Sequence, residues 1–162
     1  MKGQERVKAA LQVAGLDIHV VHLDKSARTA QLAANALDAA LGSIVKSLVF
    51  LADGDPVLVL VAGDRRASPE KLKGLLKARR VMIADADRVR DATGFSIGGV
   101  PPLGHHKPLP VWIDASLSRF ETVHAAAGHP RAVFPIAYEA LVRITDGTVA
   151  DLTEEPGGDE AP

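Results

Sequence analysis

Apolar and polar positions along the chain change period several times, and each change marks an element. Val7, Leu11 and Ala14 recur at helical spacing and Gly15 follows where a left-handed cap ends a helix, so the pattern predicts a helix over about 4–14. Residues 18–23 form a short β-branched run carrying His19 and His22, which reads as a strand. Thr29 then stands as N-cap of an Ala-rich helix ending at Gly42. Residues 44–51 and 57–62 are almost continuously apolar and are separated by Asp53-Gly54-Asp55, which predicts a β-hairpin in a covered sheet.

In the second half, Ser68-Pro69-Glu70 combines an N-cap, a proline suited to the first helical position and a first-turn acid, predicting a helix to about Arg79. A short strand over 81–84 follows, then a brief helix capped by Asp87 and ended by Gly94. Gly98-Gly99, Pro101-Pro102, Gly104 and Pro108 make 95–108 a loop, and 109–113 resumes as strand. Residues 121–127 stay ambiguous, because Ala-rich sequence favours helix by propensity. Residues 136–144 read as helix, with Ile136, Ala140 and Leu141 on one face. These elements predict an α/β fold: one domain over 1–152, with helices packed on a mixed, largely antiparallel sheet. The segment 153–162 is Glu, Asp, Gly and Pro without periodicity and is expected to form an acidic disordered tail.

Composition narrows the function classes. A chain of 162 residues fits one hydrophobic core, and no apolar run approaches the roughly 20 residues of a membrane helix. There is no cysteine, which excludes disulfides, a thiolate nucleophile and cysteine-ligated zinc. The first residues run into amphipathic helix without the h-region of a secretory signal, so the cytoplasm is the expected address. A net charge of −1 argues against wholesale coating of nucleic acid, and DNA is not expected as a partner. Charge is nonetheless concentrated: nine basic residues against three acidic ones lie between Arg65 and Arg90, which makes either a solvated helix face or a phosphate-facing patch.

Candidate chemistry is sparse. Lys46 is a lone cation in a strand whose Ile44, Lys46, Leu48 and Phe50 share a face, so its ammonium either snorkels out at an edge or enters a polar cleft to meet an anion or carbonyl. The loop Gly98-Gly99-Val100-Pro101-Pro102-Leu103-Gly104-His105 either cradles a ligand with its backbone or is a plain turn; it does not match a phosphate-binding P-loop. His19 and His22 would face opposite ways on a strand, and neither they nor the adjacent His105-His106 suit a metal, so none is expected. His129, in Gly128-His129-Pro130, sits in a glycine-bounded turn that can place an imidazole at a cleft. No serine lies in a G-x-S-x-G elbow, and six aromatic residues are too few for a multi-base stacking platform.

Four segments occur in an order that carries a resemblance: Ile44-Val45-Lys46-Ser47-Leu48-Val49-Phe50; Gly98-x-x-x-Pro102 continuing to Gly104-His105; Ile113-Asp114-x-Ser116-Leu117; and Ala127-Gly128 before a turn. Over about residues 5–152 the chain resembles the YbaK-like aminoacyl-tRNA deacylases, which include the editing domain inserted in bacterial prolyl-tRNA synthetases. The resemblance implies helices around a bent mixed sheet and turns 121–127 toward strand. It also implies a hydrolase acting on mischarged tRNA, expected to be tRNA-Pro carrying Ala, Cys or another small residue, with prolyl-tRNA synthetase a candidate partner and no cofactor.

On this reading Lys46 is catalytic. His22, Gly98, Gly99, Val100, Pro101, Pro102, Gly128 and His129 bind substrate, while Arg65, Arg66 and Lys73 bind tRNA. Backbone N–H groups around Gly98-Gly99 are then candidate donors to the developing oxyanion, and no strong general base is required where the substrate's own hydroxyl or thiol moves the proton. Two other readings stay open: a non-catalytic module binding tRNA or a synthetase through the basic region, and a metal hydrolase.

Overall fold

Apolar periodicity resolves into five helices and eight strands in a computed structural model that describes residues 3–24, 27 and 29–154. Helix α1 (Gly3–Val13) leads to a two-residue strand β1 (Val21–His22), helix α2 (Ala30–Leu37) and a 3₁₀ turn (Leu41–Ser43). The hairpin β2 (Val45–Ala52) and β3 (Asp55–Ala62) precedes α3 (Pro69–Leu76), β4 (Val81–Ile83) and α4 (Ala86–Thr93). After a long loop come β5 (Val111–Asp114), a second 3₁₀ turn (Ala115–Arg119), the hairpin β6 (Thr122–His129) and β7 (Ala132–Ala137), then α5 (Tyr138–Thr145) and β8 (Thr148–Ala150).

The strands form two sheets, ordered β4-β2-β3-β5-β8 and β1-β7-β6, where one bent sheet was expected. An isolated parallel bridge between Ile44 and His124 joins them at the foot of β2. Pairing is antiparallel except for β3 with β5 and β5 with β8. The chain is therefore mixed and largely antiparallel, as its pattern implied.

Strand β3 is buried along both faces, which explains its unbroken apolar run. Leu58, Leu60 and Ala62 point into a core shared with α1, β6, β7, α4 and α5, whereas Val57, Val59 and Val61 meet Leu72 of α3. Register settles which face Lys46 takes: it pairs with Val61, so it lies on the α3 face of β2.

Several expectations shift. The Ala-rich 121–127 segment is strand, because Val123, Ala125 and Ala127 bury one face while β7 supplies the ladder; tertiary pairing overrides alanine's helix propensity. The first two residues of the expected 136–144 helix belong to β7, whose Pro135 is tolerated because β1 pairs only at Ala132 and Val133. Asp85, not Asp87, caps α4, accepting from the Arg88 N–H, and β8 has no counterpart in the sequence reading. Thr153 is buried and bridges Ala67, and the Glu154 N–H donates to Arg66 O, so order continues past the boundary at 152. Residues 155–162 of the expected tail lie outside those described.

Candidate active site

Two constructions flank β6. At its start, the Ile44–His124 bridge lays the foot of β2 alongside it. Lys46 is half-buried there, and its Nζ donates to the Arg65 carbonyl at 2.5 Å. Among the described residues no carboxylate oxygen lies within ion-pair distance of it. Burial pushes the ammonium below its ordinary pKa and the neighbouring Arg66 adds to this, opposed by the more distant Asp64 and Asp114 carboxylates.

The turn bearing Arg65 is held by two acids. Asp64 takes both guanidinium nitrogens of Arg119, at 2.9 and 2.7 Å, and that contact keeps its carboxyl below the usual range. Arg119 also donates Nε to Ser116 O at 2.6 Å and stands 4.9 Å from the Phe120 ring centroid. Fully buried Asp114 accepts from the Ala62 N–H at 3.0 Å and from the Ser116 N–H and hydroxyl at 2.8 and 2.7 Å. Space is closed here as well: a Cβ on Gly63 would come within 2.4 Å of Leu41 O, and one on Gly42 within 2.8 Å of Arg119 Nη2.

At the far end of β6 the glycine loop docks by backbone contact. Gly98 adopts φ +85° in a turn closed by the Gly99 N–H donating to Ser96 O, the left-handed third position that a type II turn reserves for glycine. Gly99 is not left-handed; a Cβ there would meet the His129 backbone at 2.9 Å. Gly128 takes φ +95° and is pressed against α1, where a Cβ would lie 2.9 Å from Gly3 C. The space over Gly99 is filled by His129, and its N–H is already donated, so it is not a free oxyanion donor.

The loop is also braced from behind. His105 Nε2 lies 2.7 Å from Pro101 O, and its ring is edge-on to Phe95, over which the Arg6 guanidinium sits at 4.5 Å. Arg6 donates to Gly104 O at 3.2 Å. Burial lowers the His105 pKa, with the Arg6 charge adding to this and the bond to Pro101 opposing it. A carbonyl only accepts, so Nε2 is the donor in that bond. Val100 packs its side chain into the core.

His22 and His129 converge. Both pair with Ala132, from opposite sides of β7, and both line a cavity of about 440 Å³ completed by Gln4, Leu23, Asp24 and Arg131. His129 Nδ1 accepts from the Arg131 N–H at 3.2 Å, so in the neutral ring Nε2 holds the proton. A bulge between Ala126 and His129 turns the end of β6 toward this cavity. Arg65 and exposed Arg66 lie at the Lys46 end; Lys73 is further along α3. Among the described residues no three His, Asp or Glu side chains cluster as metal ligands, and no helix is long and apolar enough to cross a membrane.

The parts that sequence reasoning missed are the braces. Asp64 and Arg119 are 55 positions apart, and Arg6 reaches a loop nearly a hundred residues on, so no local spacing signals either. Asp114 and His105 lay inside the recognised motifs, but their tasks emerge only from the fold.

Residues 24–144 match the aminoacyl-tRNA editing domain family. The chain is 36% identical over 123 residues to the uncharacterised protein YwhH of Bacillus subtilis, covering 75% of this chain and 78% of that protein. It is 30% identical over 138 residues to the proline–tRNA ligase of Bacillus licheniformis, spanning 85% of this chain but only 24% of the ligase. A solved structure described as a candidate trans-editing enzyme for prolyl tRNA synthetase superposes with a TM-score of 0.90 at 42% identity, covering 96% of this chain and 99% of that one. On the family match and these relatives together, the chain belongs to the aminoacyl-tRNA editing domain family.

Proposed function

We propose that this protein hydrolyses the ester linking a wrongly attached amino acid to the 3′ end of tRNA. The observation that carries the reading is Lys46: a half-buried ammonium with one hydrogen bond and no carboxylate partner among the described residues, on a strand whose other residues, Ser47 apart, are apolar. Holding a cation there opposes its desolvation, and an anionic or carbonyl ligand offsets that cost. The Ile44–His124 bridge lays the start of β2 beside the start of β6, the strand that ends at His129.

The ester is already reactive, so the site need only position water and stabilise charge. Water oxygen bonds to the acyl carbon, the acyl–oxygen bond breaks, and the ribose oxygen leaves with a proton. Lys46 fixes the terminal phosphate or ribose. His22 and the protonated Nε2 of His129 offer donors at the cavity, and the 98–102 loop packs on the His129 backbone. Arg65, Arg66 and Lys73 take backbone phosphates. The relatives' names, a proline–tRNA ligase and a candidate trans-editing enzyme for prolyl tRNA synthetase, favour tRNA-Pro as the substrate and that synthetase as a partner. The proposal extends this to a small residue such as alanine or cysteine on that tRNA, met in the cytoplasm.

The test is a panel of mischarged tRNAs. Release of amino acid from at least one, falling about tenfold (about 1.4 kcal/mol) in a folded Lys46→Ala variant, is the expected result. Binding without release identifies a non-catalytic module, and loss of activity with chelator identifies a metal hydrolase.

A further inference from the structure

The lysine's only hydrogen-bond acceptor among the described residues is a main-chain carbonyl on a turn, and a turn is a poor support unless something fixes it. Two carboxylates do so here, from opposite ends. Asp114 holds the last residue of β3 through the Ala62 N–H. One residue past Gly63, Asp64 is gripped by both terminal nitrogens of Arg119, whose own Nε is tied to Ser116 O. The guanidinium thus spans the second 3₁₀ turn and the turn after β3, and its planar fork permits one relative placement of the two.

Both members of the pair are about a third exposed, and ion pairs in such positions contribute little to stability. Their geometric effect is larger. Arg65 follows Asp64 directly, so any swing of Asp64 carries the Arg65 carbonyl and the Arg65 and Arg66 side chains with it.

We propose that Asp64 and Arg119 are positioning residues: their two-pronged pair sets the 63–66 turn so that the Arg65 carbonyl fixes where the Lys46 ammonium points. This rests on the reading of Lys46 given above. The charged groups that act on Lys46 are Asp64 and Arg66 on the turn and Asp114 at the end of β5. Behind them, Arg119 grips Asp64, Arg65 lies against the same carboxylate, and Tyr138 feels the Asp114 charge, while His124 pairs with Ile44 two residues before the lysine. Asp64 is the carboxylate that does most to hold the lysine's proton on, so removing its charge lets the amine titrate at lower pH.

The experiment uses the full chain as wild type, Asp64→Asn, Arg119→Gln and Arg119→Lys, with folding checked by thermal melts. Turnover is measured on mischarged tRNA, and the Lys46 side chain is titrated by carbon-13 NMR. The expected result is a five- to tenfold fall in kcat for Asp64→Asn and Arg119→Gln with KM changed less than twofold, and partial recovery in Arg119→Lys. The Lys46 resonance of Asp64→Asn titrates at lower pH than in wild type. Folded variants with wild-type kcat and an unmoved lysine titration overturn the proposal. If wild type releases amino acid from no tRNA while the titration still moves, the positioning role stands and the deacylase reading falls.

Discussion

At the start of β6, charged side chains from three separate segments set where Lys46 points, whereas at its end backbone meets backbone with no side chain between. The first arrangement relies on Asp64, Arg119 and Asp114; the second relies on Gly99 against His129 and Gly128 against Gly3. A directional charge needs ligands that can be lost one at a time, and each loss leaves the fold standing. A close-packed backbone has no such intermediate state. Substitutions at the two ends should therefore separate activity from stability to different degrees.

The sharpest break is Gly99→Val. Its branched side chain meets the His129 backbone, so the loop must lift from β6; deacylation should fall by more than roughly a hundredfold, and stability by about 1–3 kcal/mol of overpacking strain. Kinetics and a chemical melt of the same preparation check this, and an unchanged melt with full activity removes the loop from the site. Lys46→Met is next: activity drops with Lys46→Ala, but the melting temperature stays level or rises, since folding lowers the pKa of this ammonium and so disfavours its charge at neutral pH. A variant that melts well below wild type makes Lys46 structural.

Reversing Arg65, Arg66 and Lys73 to glutamate should raise KM several-fold and flatten its dependence on salt, because phosphate contacts act through counterion release. Identical salt slopes would leave these residues a solvated face. The smallest effect concerns His105, whose depressed pKa makes the unfolded chain bind the proton first. Wild-type stability should decline as pH drops below about 6.5, and His105→Gln, which retains a donor for Pro101 O, should soften that decline. His124, also lowered by burial, supplies the remainder. Matching pH–melting curves for wild type and His105→Gln would exclude His105 as a contributor.

Much of the architecture was legible because local chemistry decides it. Thr29, Ser68 and Gly94 cap helices where their side chains or conformations predict, and the β2–β3 hairpin follows from two apolar runs around Asp53-Gly54. The strand β6 was not legible from propensity, since alanine becomes strand there only by pairing with β7. At the candidate site, Lys46 stood out because a cation in an apolar strand is an anomaly that sequence alone exposes. Gly98 and Gly99 stood out too, although glycine marks closeness without saying to what. Asp64 and Arg119 looked like ordinary surface charges until folding brought them together.

The contact between Gly3 and Gly128 has a consequence for anyone varying this protein. A methyl on Gly3 would meet the Gly128 carbonyl and the Phe95 ring, and one on Gly128 would meet the main chain of Gly3 and Gln4. A screen that changes them one at a time will score both as intolerant. Because the obstacle on each side is main chain, which every residue carries, no second substitution at the partner glycine will rescue the first.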